Sequence, residues 1–286
     1  MKFRFPAEFY AKYLDYPSRL NKNALENAQF LKPLTKDQQV LEVGCGTGQF
    51  AQRFLLPHCR PCRRLVATDI DPDMIDFARD HYPHADVVYD VLDIATNDLG
   101  PFSERYGKFD RVLSFLAVQL IQDQKTAYSN IVHLLNDEGE CLVLAFSSLE
   151  TVDVWAELCG TEKWRGRIPD PAEIFNRSFN FNCLKTATEV EAEVRDTLRG
   201  TGLECLSCEV YEDVWKYDDM DSLLDIVLSV LPFNDSVPEE EWEDFRLLWA
   251  ERLSRKLSAS PGQPLEVKVG LYVFHARRSS ECAAAD

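Results

Sequence analysis

A chain of 286 residues with 45% hydrophobic content is long enough to bury a sizeable core, in one domain or two. Its formal net charge of −17 argues against nucleic acid or an anionic membrane as a partner. Nine cysteines, with no apolar leader and no apolar run of the roughly 18 residues that a membrane helix needs, favour a reducing compartment. We therefore expect a cytoplasmic protein with no nucleic-acid partner and no membrane insertion. The oligomeric state stays open.

The N-terminal segment is predicted to be helical. Ser18 is a candidate cap for a helix whose apolar residues recur at helical spacing. Those residues are Leu20, Ala24, Leu25, Ala28 and Leu31. We expect residues 1–35 to form a helical lid over the rest of the chain.

From Val40 onward, short apolar strands alternate with amphipathic helices. The predicted strands are QVLEV (39–43), RLVATD (64–69), DVVYD (86–90), FDRVLSF (109–115) and ECLVLAF (140–146). The segments 48–56, 71–82 and 123–139 have helical periodicity, and the last is predicted to end at Gly139. This alternation predicts an α/β fold with a parallel sheet that helices cover on both faces.

After Phe146 the pattern changes to an aromatic-rich segment, 149–185, that has no clean repeat. A helix, a strand, two helices and a last strand follow, at 187–200, 202–214, 220–233, 238–257 and 265–276. We interpret residues 1–286 as a single domain. Its parts are the lid 1–35, a cofactor-binding half 36–148, substrate-side insertions with a closing strand 149–276, and a disordered tail 277–286.

Three glycines, Gly44, Gly46 and Gly48, follow the first predicted strand. A dinucleotide-binding turn has the spacing G-x-G-x-x-G, whereas the third glycine here comes one residue early. Glu42 would repel a diphosphate, but it suits a ligand with an ammonium or sulfonium group. S-adenosylmethionine carries both groups and has no phosphate, so the turn predicts S-adenosyl-L-methionine as the cofactor.

Two carboxylates follow the next two strands. Asp69 ends the second predicted strand, where a carboxylate can accept hydrogen bonds from both ribose hydroxyls. Asp93 follows the third strand, within reach of the adenine amine. Asp71 precedes Pro72 and is interpreted as a helix cap.

From Val40 to Phe146 the sequence resembles the class I S-adenosylmethionine-dependent methyltransferases. Glu42 and the three glycines match the first motif of that family, and ATDIDPDMI (67–75) matches the second. The resemblance implies a Rossmann-like sheet of seven strands with one antiparallel strand, which 265–276 would supply. It implies these cofactor-binding residues: Glu42, Gly44, Cys45, Gly46, Gly48, Asp69, Ile70, Asp93, Ile94 and Ser114.

A narrower resemblance, to the juvenile hormone acid methyltransferases of arthropods, begins at residue 109 and continues through Lys163-Trp164 and Phe233. It implies methylation of the carboxylate of farnesoic and related sesquiterpenoid acids. After the fourth strand that family has the pattern S-F-x-C-L-H-W-V-Q, and its His–Trp pair is Gln119–Leu120 here. Asn21 stands where the family usually has a glutamine in the helix that closes over the site.

A carboxylate substrate is already ionised at pH 7, so its methylation requires no general base. The protein must hold one carboxylate oxygen in line with the methyl group while donors hold the other. Gln119 is the first candidate donor, and Asn21 and Arg19 are the next. Leu120, Trp155, Trp164 and Trp215 are predicted to line an apolar substrate pocket.

Other functions stay open on the sequence alone. They are methylation of an amine or a protein side chain, a non-catalytic module that binds S-adenosylmethionine, and, disfavoured by the glycine spacing, a nicotinamide enzyme. Two CxxC pairs, Cys59/Cys62 and Cys205/Cys208, have spacing that can hold zinc. Because the second pair lies in a predicted strand, where positions three apart face opposite sides, no metal site is predicted.

Overall fold

In the described part of the chain, seven strands form a single sheet. The structure, a computed structural model, describes residues 7–11, 15–231, 233, 236–257 and 264–280. The strands are β1 Gln39–Val43, β2 Arg64–Asp69, β3 Val87–Val91, β4 Phe109–Phe115, β5 Leu135–Leu149, β6 Leu203–Tyr217 and β7 Leu265–Arg278. Their order is β3-β2-β1-β4-β5-β7-β6, and β7 runs antiparallel to both β5 and β6. The predicted seven-stranded α/β fold with one antiparallel strand is thus confirmed.

Helices cover both faces of this sheet, as the alternation predicted. They are α1 Ala7–Tyr10, α2 Asp15–Asn27, α3 Leu56–Cys59, α4 Pro72–His81, α5 Gly100–Tyr106, α6 Gln124–Leu134, α7 Glu150–Cys159, α8 Pro171–Ile174, α9 Ala187–Leu198, α10 Met220–Val230 and α11 Trp242–Lys256. A π-helical turn, Ala51–Leu55, precedes α3, and 3₁₀ turns lie at Val118–Leu120, Phe181–Cys183 and Glu239–Glu241. None of the described helices has the length and apolarity needed to cross a membrane.

Local chemistry explains where several helices begin. The side chain of Asp71 accepts from the Asp73 N–H at 3.0 Å, and Pro72 occupies the first helical position, where no N–H is needed. At α9, Thr186 and Glu189 form a reciprocal capping box. The interpretation of Asp71 as a helix cap is therefore confirmed.

Several boundaries differ from the prediction, and three of the differences have a clear physical reason. Helix α2 begins at Asp15, ahead of Ser18, because Pro17 is tolerated in a first helical turn, whose N–H groups have no partner within the helix. Helix α6 ends at Leu134, because Leu135 already pairs with β4, and Gly139 therefore lies inside β5.

The tail is the third correction. Strand β7 continues to Arg278, two residues into the segment predicted to be disordered. The Arg277 side chain pairs with Glu204 at 2.8 Å, and Arg278 donates to the Leu135 carbonyl at 3.1 Å, so both residues are held in the sheet. The predictions for 258–263 and 281–286 lie outside the described residues.

The described residues form three apolar clusters in the core. One cluster packs under α6 and α9 on one face of the sheet, and the second packs under α2, α3 and α4 on the other face. The third, called here the insertion cluster, is formed by α7, α10, α11 and the loops between them. Its largest fully buried side chains are Trp155, Trp164, Phe233, Phe245 and Trp249.

Candidate active site

The carboxyl ends of β1 to β4 open into a cleft of about 610 Å³. In the sheet, β2 lies on one side of β1 and β4 lies on the other side, so the strand order reverses at β1. Open α/β sheets bind ligands at such a reversal of strand order. The lining residues are Val43, Gly44, Gly46, Asp69, Ile70, Asp71, Pro72, Met74, Val91, Leu92, Asp93, Ile94, Phe115, Leu116, Ala117, Leu120, Ile121, Gln122, Glu173 and Ile174.

The glycine turn, Gly44–Gly48, is held against the end of β2. The backbone N–H groups of Gly44 and Cys45 donate to the Thr68 carbonyl at 2.7 and 2.8 Å. The three glycines have positive φ angles of 81°, 52° and 76°, which side chains rarely tolerate. A Cβ on Gly44 would lie 2.2 Å from the Ala117 Cβ, so the turn approaches the segment after β4 as closely as glycine permits.

Asp69 lies at the rim of the cleft, and the backbone orients its carboxylate. Oδ2 accepts from the Gly46 N–H at 2.8 Å, and Oδ1 accepts from the Asp71 N–H at 3.0 Å. Burial raises the pKa of Asp69 above its usual range, although these backbone hydrogen bonds act in the opposite direction. Each carboxylate oxygen keeps a second lone pair, so a ligand with two neighbouring hydroxyl groups can still donate to it.

Apolar side chains beside Asp69 form a slot for a flat ring. Ile70 and Val91 are 45% and 43% exposed, unusually high values for such residues, and both line the cleft. Ile94 is buried and also lines the cleft. Asp93, whose Oδ1 accepts from the Ala95 N–H at 3.0 Å, is a further lining residue, and a carboxylate there can accept a hydrogen bond from an amine.

Glu42 is a buried carboxylate at the end of β1. Its side chain is 2% exposed, and its Oε2 has no hydrogen-bond partner among the described residues. Burial, and after it the negative charge of Asp69, raise the pKa of Glu42 to about 8. A cation placed against Glu42 would stabilise the ionised form, so this residue offers an acceptor to a ligand with an ammonium group.

The comparison with known proteins agrees with this geometry. The sequence model of a family described as a methyltransferase domain matches residues 41–143, which extend from β1 into β5 and include the glycine turn, Asp69 and Asp93. Residues 41–143 therefore carry the domain of the class I S-adenosylmethionine-dependent methyltransferases. A solved structure of a protein from Bacillus halodurans C-125 has the same fold, with a TM-score of 0.55 at 16% identity, over 91% of this chain and 99% of that one.

Curated relatives of this methyltransferase include two insect enzymes. It is 29% identical to juvenile hormone acid O-methyltransferase of Bombyx mori, over 77% of this chain and 75% of the relative. It is 28% identical to the enzyme of that name from Drosophila melanogaster, over 73% and 68%. Malonyl-[acyl-carrier protein] O-methyltransferase of Acetivibrio thermocellus is 36% identical over a shorter stretch, 38% of this chain and 35% of that protein.

The residues of the cleft fit S-adenosylmethionine. Glu42 precedes the lining residue Val43 and has an Oε2 without a partner among the described residues, so it suits the ammonium group of the cofactor. Asp69 suits the ribose, and the slot beside Ile70 suits the adenine. Gly44 also lies close to Ala117, so the cleft is narrow where these two residues meet. The predicted cofactor is confirmed by the family, and these assignments of single residues remain predictions.

The raised pKa of Glu42 makes a prediction for the free methyltransferase. Binding of S-adenosylhomocysteine at pH 7 should release about one proton per site, because Glu42 with a pKa of about 8 is mostly protonated before it pairs with the ligand ammonium. By the same linkage, affinity should rise with pH up to about 8 and then level off. Calorimetry in two buffers that differ in ionisation enthalpy counts the proton. An unchanged proton count in Glu42→Gln would show that another group releases it.

Four predicted cofactor residues do not line the cleft, and they are Glu42, described above, with Cys45, Gly48 and Ser114. The Ser114 hydroxyl is buried and donates to the Val43 carbonyl at 2.8 Å, so it joins β4 to β1. The Cys45 side chain is also buried, and the contribution of this residue to the turn is through its backbone. A Cβ on Gly48 would lie 2.8 Å from a ring carbon of Tyr89, so this glycine serves the packing of the turn on the sheet. The side chains of Cys45 and Ser114 and the missing side chain of Gly48 thus serve packing, and the prediction that these residues bind the cofactor stays a prediction.

Gln119 lies in the 3₁₀ turn after β4 and is buried. Its Nε2 donates to the Leu116 carbonyl at 2.7 Å, whereas its Oε1 has no partner among the described residues. One amide hydrogen is thus already used within the protein. Of the pair Gln119 and Leu120, only Leu120 lines the cleft. The role of Gln119 as a carboxylate donor stays a prediction that depends on the second amide hydrogen.

The residues that hold this turn were not predicted from the sequence. Asn176 donates from its backbone N–H to the Gln119 carbonyl and from Nδ2 to the Val118 carbonyl, both at 2.8 Å. Gln122, which lines the cleft, donates to the Glu173 carbonyl at 3.0 Å. Asn176 and Val118 are 58 positions apart, so no local pattern could have identified them. Only the aromatic-rich composition of 149–185 indicated that this segment covers the site.

Helix α2 lies against the carboxyl end of β6, and Arg19 takes part in this contact. The Arg19 guanidinium pairs with the Asp213 carboxylate at 2.6 Å, and the Tyr16 hydroxyl accepts from the Lys216 N–H at 2.8 Å. Arg19 thus ties α2 to β6, and its role as a substrate donor stays a prediction. Asn21 is buried beneath the helix, with an Oδ1 that has no partner among the described residues.

Two of the predicted pocket tryptophans belong to the insertion cluster. Trp155 is fully buried, its indole N–H donates to the Pro169 carbonyl at 2.8 Å, and its ring packs against Phe233. Trp164 is 1% exposed and packs against Phe245. Neither residue lines the cleft, and the third predicted tryptophan, Trp215, does not line it either.

The cysteine pairs carry no metal centre in the part of the chain that the structure describes. No group of three or more His, Cys, Asp or Glu side chains there could hold a metal ion. Cys59 and Cys208 are buried thiols, and burial raises the pKa of each to about 12. Such thiols are poor nucleophiles and poor ligands at neutral pH.

Proposed function

We propose that this methyltransferase transfers a methyl group to the carboxylate of an apolar small acid. The similarity to juvenile hormone acid O-methyltransferase supports this proposal most, because it extends over 220 residues. That length exceeds the cofactor-binding half, 36–148, so the likeness includes part of the substrate side. The relative from Acetivibrio thermocellus, which is also named for O-methylation, supports the same class of acceptor.

The chemistry of the cleft is compatible with this acceptor. S-adenosylmethionine, when bound, supplies a methyl group on a sulfonium that a carboxylate can attack directly. Among the described residues, the cleft lining has no His, Cys, Lys or Tyr side chain that would act as a general base for an alcohol or a thiol. Leu116, Leu120 and Ile121 provide an apolar wall that excludes water and suits a hydrocarbon chain.

The test is methyl ester formation. Wild-type protein incubated with radiolabelled S-adenosylmethionine should convert farnesoic acid to its methyl ester, with weaker turnover of short polar acids, because these bury less apolar surface. Extraction into an organic solvent and chromatography identify the product. Tight binding of S-adenosylhomocysteine without turnover of any acid in the panel would contradict the proposal and favour a binding module.

A second candidate is methylation of an amine, and one observation favours it. The cleft is lined by the carboxylates of Asp69, Asp71, Asp93 and Glu173, and within the described chain no Lys, Arg or His lines it. Such a lining attracts cations and repels anions. A long-chain primary amine included in the same panel decides the matter: a methylated amine without methyl ester would replace the first candidate by the second.

A further inference from the structure

Leu116, the residue directly after β4, has a backbone conformation that leucine rarely adopts. Its φ angle is +54°, in the left-handed region, where the Cβ lies too close to the following carbonyl oxygen. Among the described residues, the other non-glycine residues with a positive φ are Asn182 and Cys183, and neither lines the cleft. A bulky residue keeps such a conformation only where its surroundings hold it, and residues of this kind concentrate at ligand sites.

Hydrogen bonds hold Leu116 on both sides of its peptide. Its N–H donates to the Leu144 carbonyl of β5 at 2.7 Å, which continues the sheet by one residue past β4. Its carbonyl accepts from the Gln119 Nε2 at 2.7 Å. Because Gln119 is only 3% exposed, this second bond is shielded from water. A backbone bond and a buried amide therefore fix the left-handed conformation together.

The 3₁₀ turn that carries Gln119 is in turn fixed to the insertion. Asn176 donates to the carbonyls of Gln119 and Val118, as described above. The Gln124 Nε2 also donates to the Val118 carbonyl, at 3.4 Å. The Gln119 amide thus belongs to a segment whose backbone has partners of its own, and it can hold Leu116 without moving.

The conformation of Leu116 determines the shape of the cleft at this point. Leu116 and the next residue, Ala117, both line the cleft, and Ala117 lies opposite Gly44. At a negative φ the chain would leave β4 in another direction, so both side chains would move. The apolar wall beside the acceptor therefore depends on a backbone conformation that leucine does not prefer.

We propose that Gln119 is a positioning residue: its amide holds Leu116 in the left-handed conformation and so sets the wall against which the apolar chain of the acceptor packs. This inference rests on the proposed methylation of an apolar acid. It gives Gln119 a role that acts through Leu116 and requires no contact with the carboxylate.

Two substitutions at Leu116 test the strain without any substrate. Leu116→Ala and Leu116→Gly both remove the apolar wall, but only glycine adopts a positive φ without strain. The glycine variant should therefore melt about 2 °C above the alanine variant, the reverse of the usual order of these residues. Differential scanning calorimetry measures both. A glycine variant that melts at or below the alanine variant would overturn the proposal, because Leu116 would then need no support.

A double-mutant cycle tests the role of Gln119. Gln119→Met keeps the size of the side chain and removes the amide, so the KM for farnesoic acid should rise about 10-fold, the effect of one lost hydrogen bond. Added to Leu116→Gly, the same substitution should leave the KM of that variant unchanged, since glycine needs no support and has no side chain to position. Initial rates with radiolabelled S-adenosylmethionine give the four KM values.

The matched control is Gln124→Met. Gln124 is also a buried amide that donates to this turn, but at Val118 and not at Leu116. Its replacement should lower the melting temperature and leave the KM for farnesoic acid unchanged. A KM that rises equally in the Gln119 and Gln124 variants, or equally with and without Leu116→Gly, would overturn the inference, because general loosening of the turn would then explain it.

Failure of this inference is distinguishable from failure of the proposed function. Active wild-type protein with a flat cycle would remove the positioning role and leave carboxyl methylation intact. No methyl ester from any acid in the wild type would overturn the proposed function and the acceptor wall with it, whereas the melting comparison would still decide whether Leu116 is strained.

Discussion

Gly44→Val should lose measurable binding of S-adenosylhomocysteine. The added Cβ would lie 2.2 Å from the Ala117 Cβ, and the residue would keep a φ of +81°, where a β-branched side chain is strained. Because Gly44 and Ala117 lie on opposite sides of the crevice between β1 and β4, the crevice must open or the turn must move. Calorimetric titration measures the loss, and circular dichroism checks that the variant is folded.

Gly166→Val is the matched control for this prediction. Gly166 has a similar φ of +70°, but a Cβ there meets nothing within 4 Å, and the residue lies in the insertion, outside the cleft lining. Its backbone strain of about 1–2 kcal/mol should lower the melting temperature without changing cofactor affinity. Equal affinity losses in the two variants would mean that general destabilisation, and not the shape of the crevice, explains the effect at Gly44.

Asp69→Asn should weaken binding of S-adenosylhomocysteine about 100-fold. A hydrogen bond to an ionised carboxylate contributes roughly 1.5–3 kcal/mol, and the substitution removes the charge that the two ribose hydroxyls would contact. It also replaces the acceptor of the Gly46 N–H, which lies 2.8 Å from Oδ2, so the glycine turn loses part of its support. Titration with adenosine in addition to S-adenosylhomocysteine tests whether the ribose contact is the one lost.

Asp76→Asn provides the same change of charge on the same side of the sheet. Asp76 is exposed on α4 and forms a surface ion pair with Arg79 at 3.1 Å, a contact that contributes little. The affinity of the Asp76→Asn variant for S-adenosylhomocysteine should match that of wild type. If Asp69→Asn behaves like Asp76→Asn, the ribose is held by other groups, and Asp69 serves only to fix the turn.

Much of the cofactor half could be predicted from the sequence alone. The bounds of β1, β2 and β4 agree with the prediction to the residue, because short apolar runs between turn residues leave few other structures for these segments. The glycine turn and Asp69 could also be predicted, because their function depends on backbone freedom and on position at a strand end. Both are local properties of the sequence.

The tertiary structure alone decided the rest. Contacts between distant segments place Trp155 and Trp164 in the insertion cluster. Such contacts also pair Arg19 with Asp213, and they hydrogen-bond Asn176 to the turn that carries Gln119. They also end α6 at Leu134, because the next residue, Leu135, pairs with β4 in the sheet. The sequence by itself thus determined the fold and the cofactor, because these follow from local periodicity and backbone chemistry. The walls of the acceptor site depend on which side chains meet across long loops, and only the packed chain determines that.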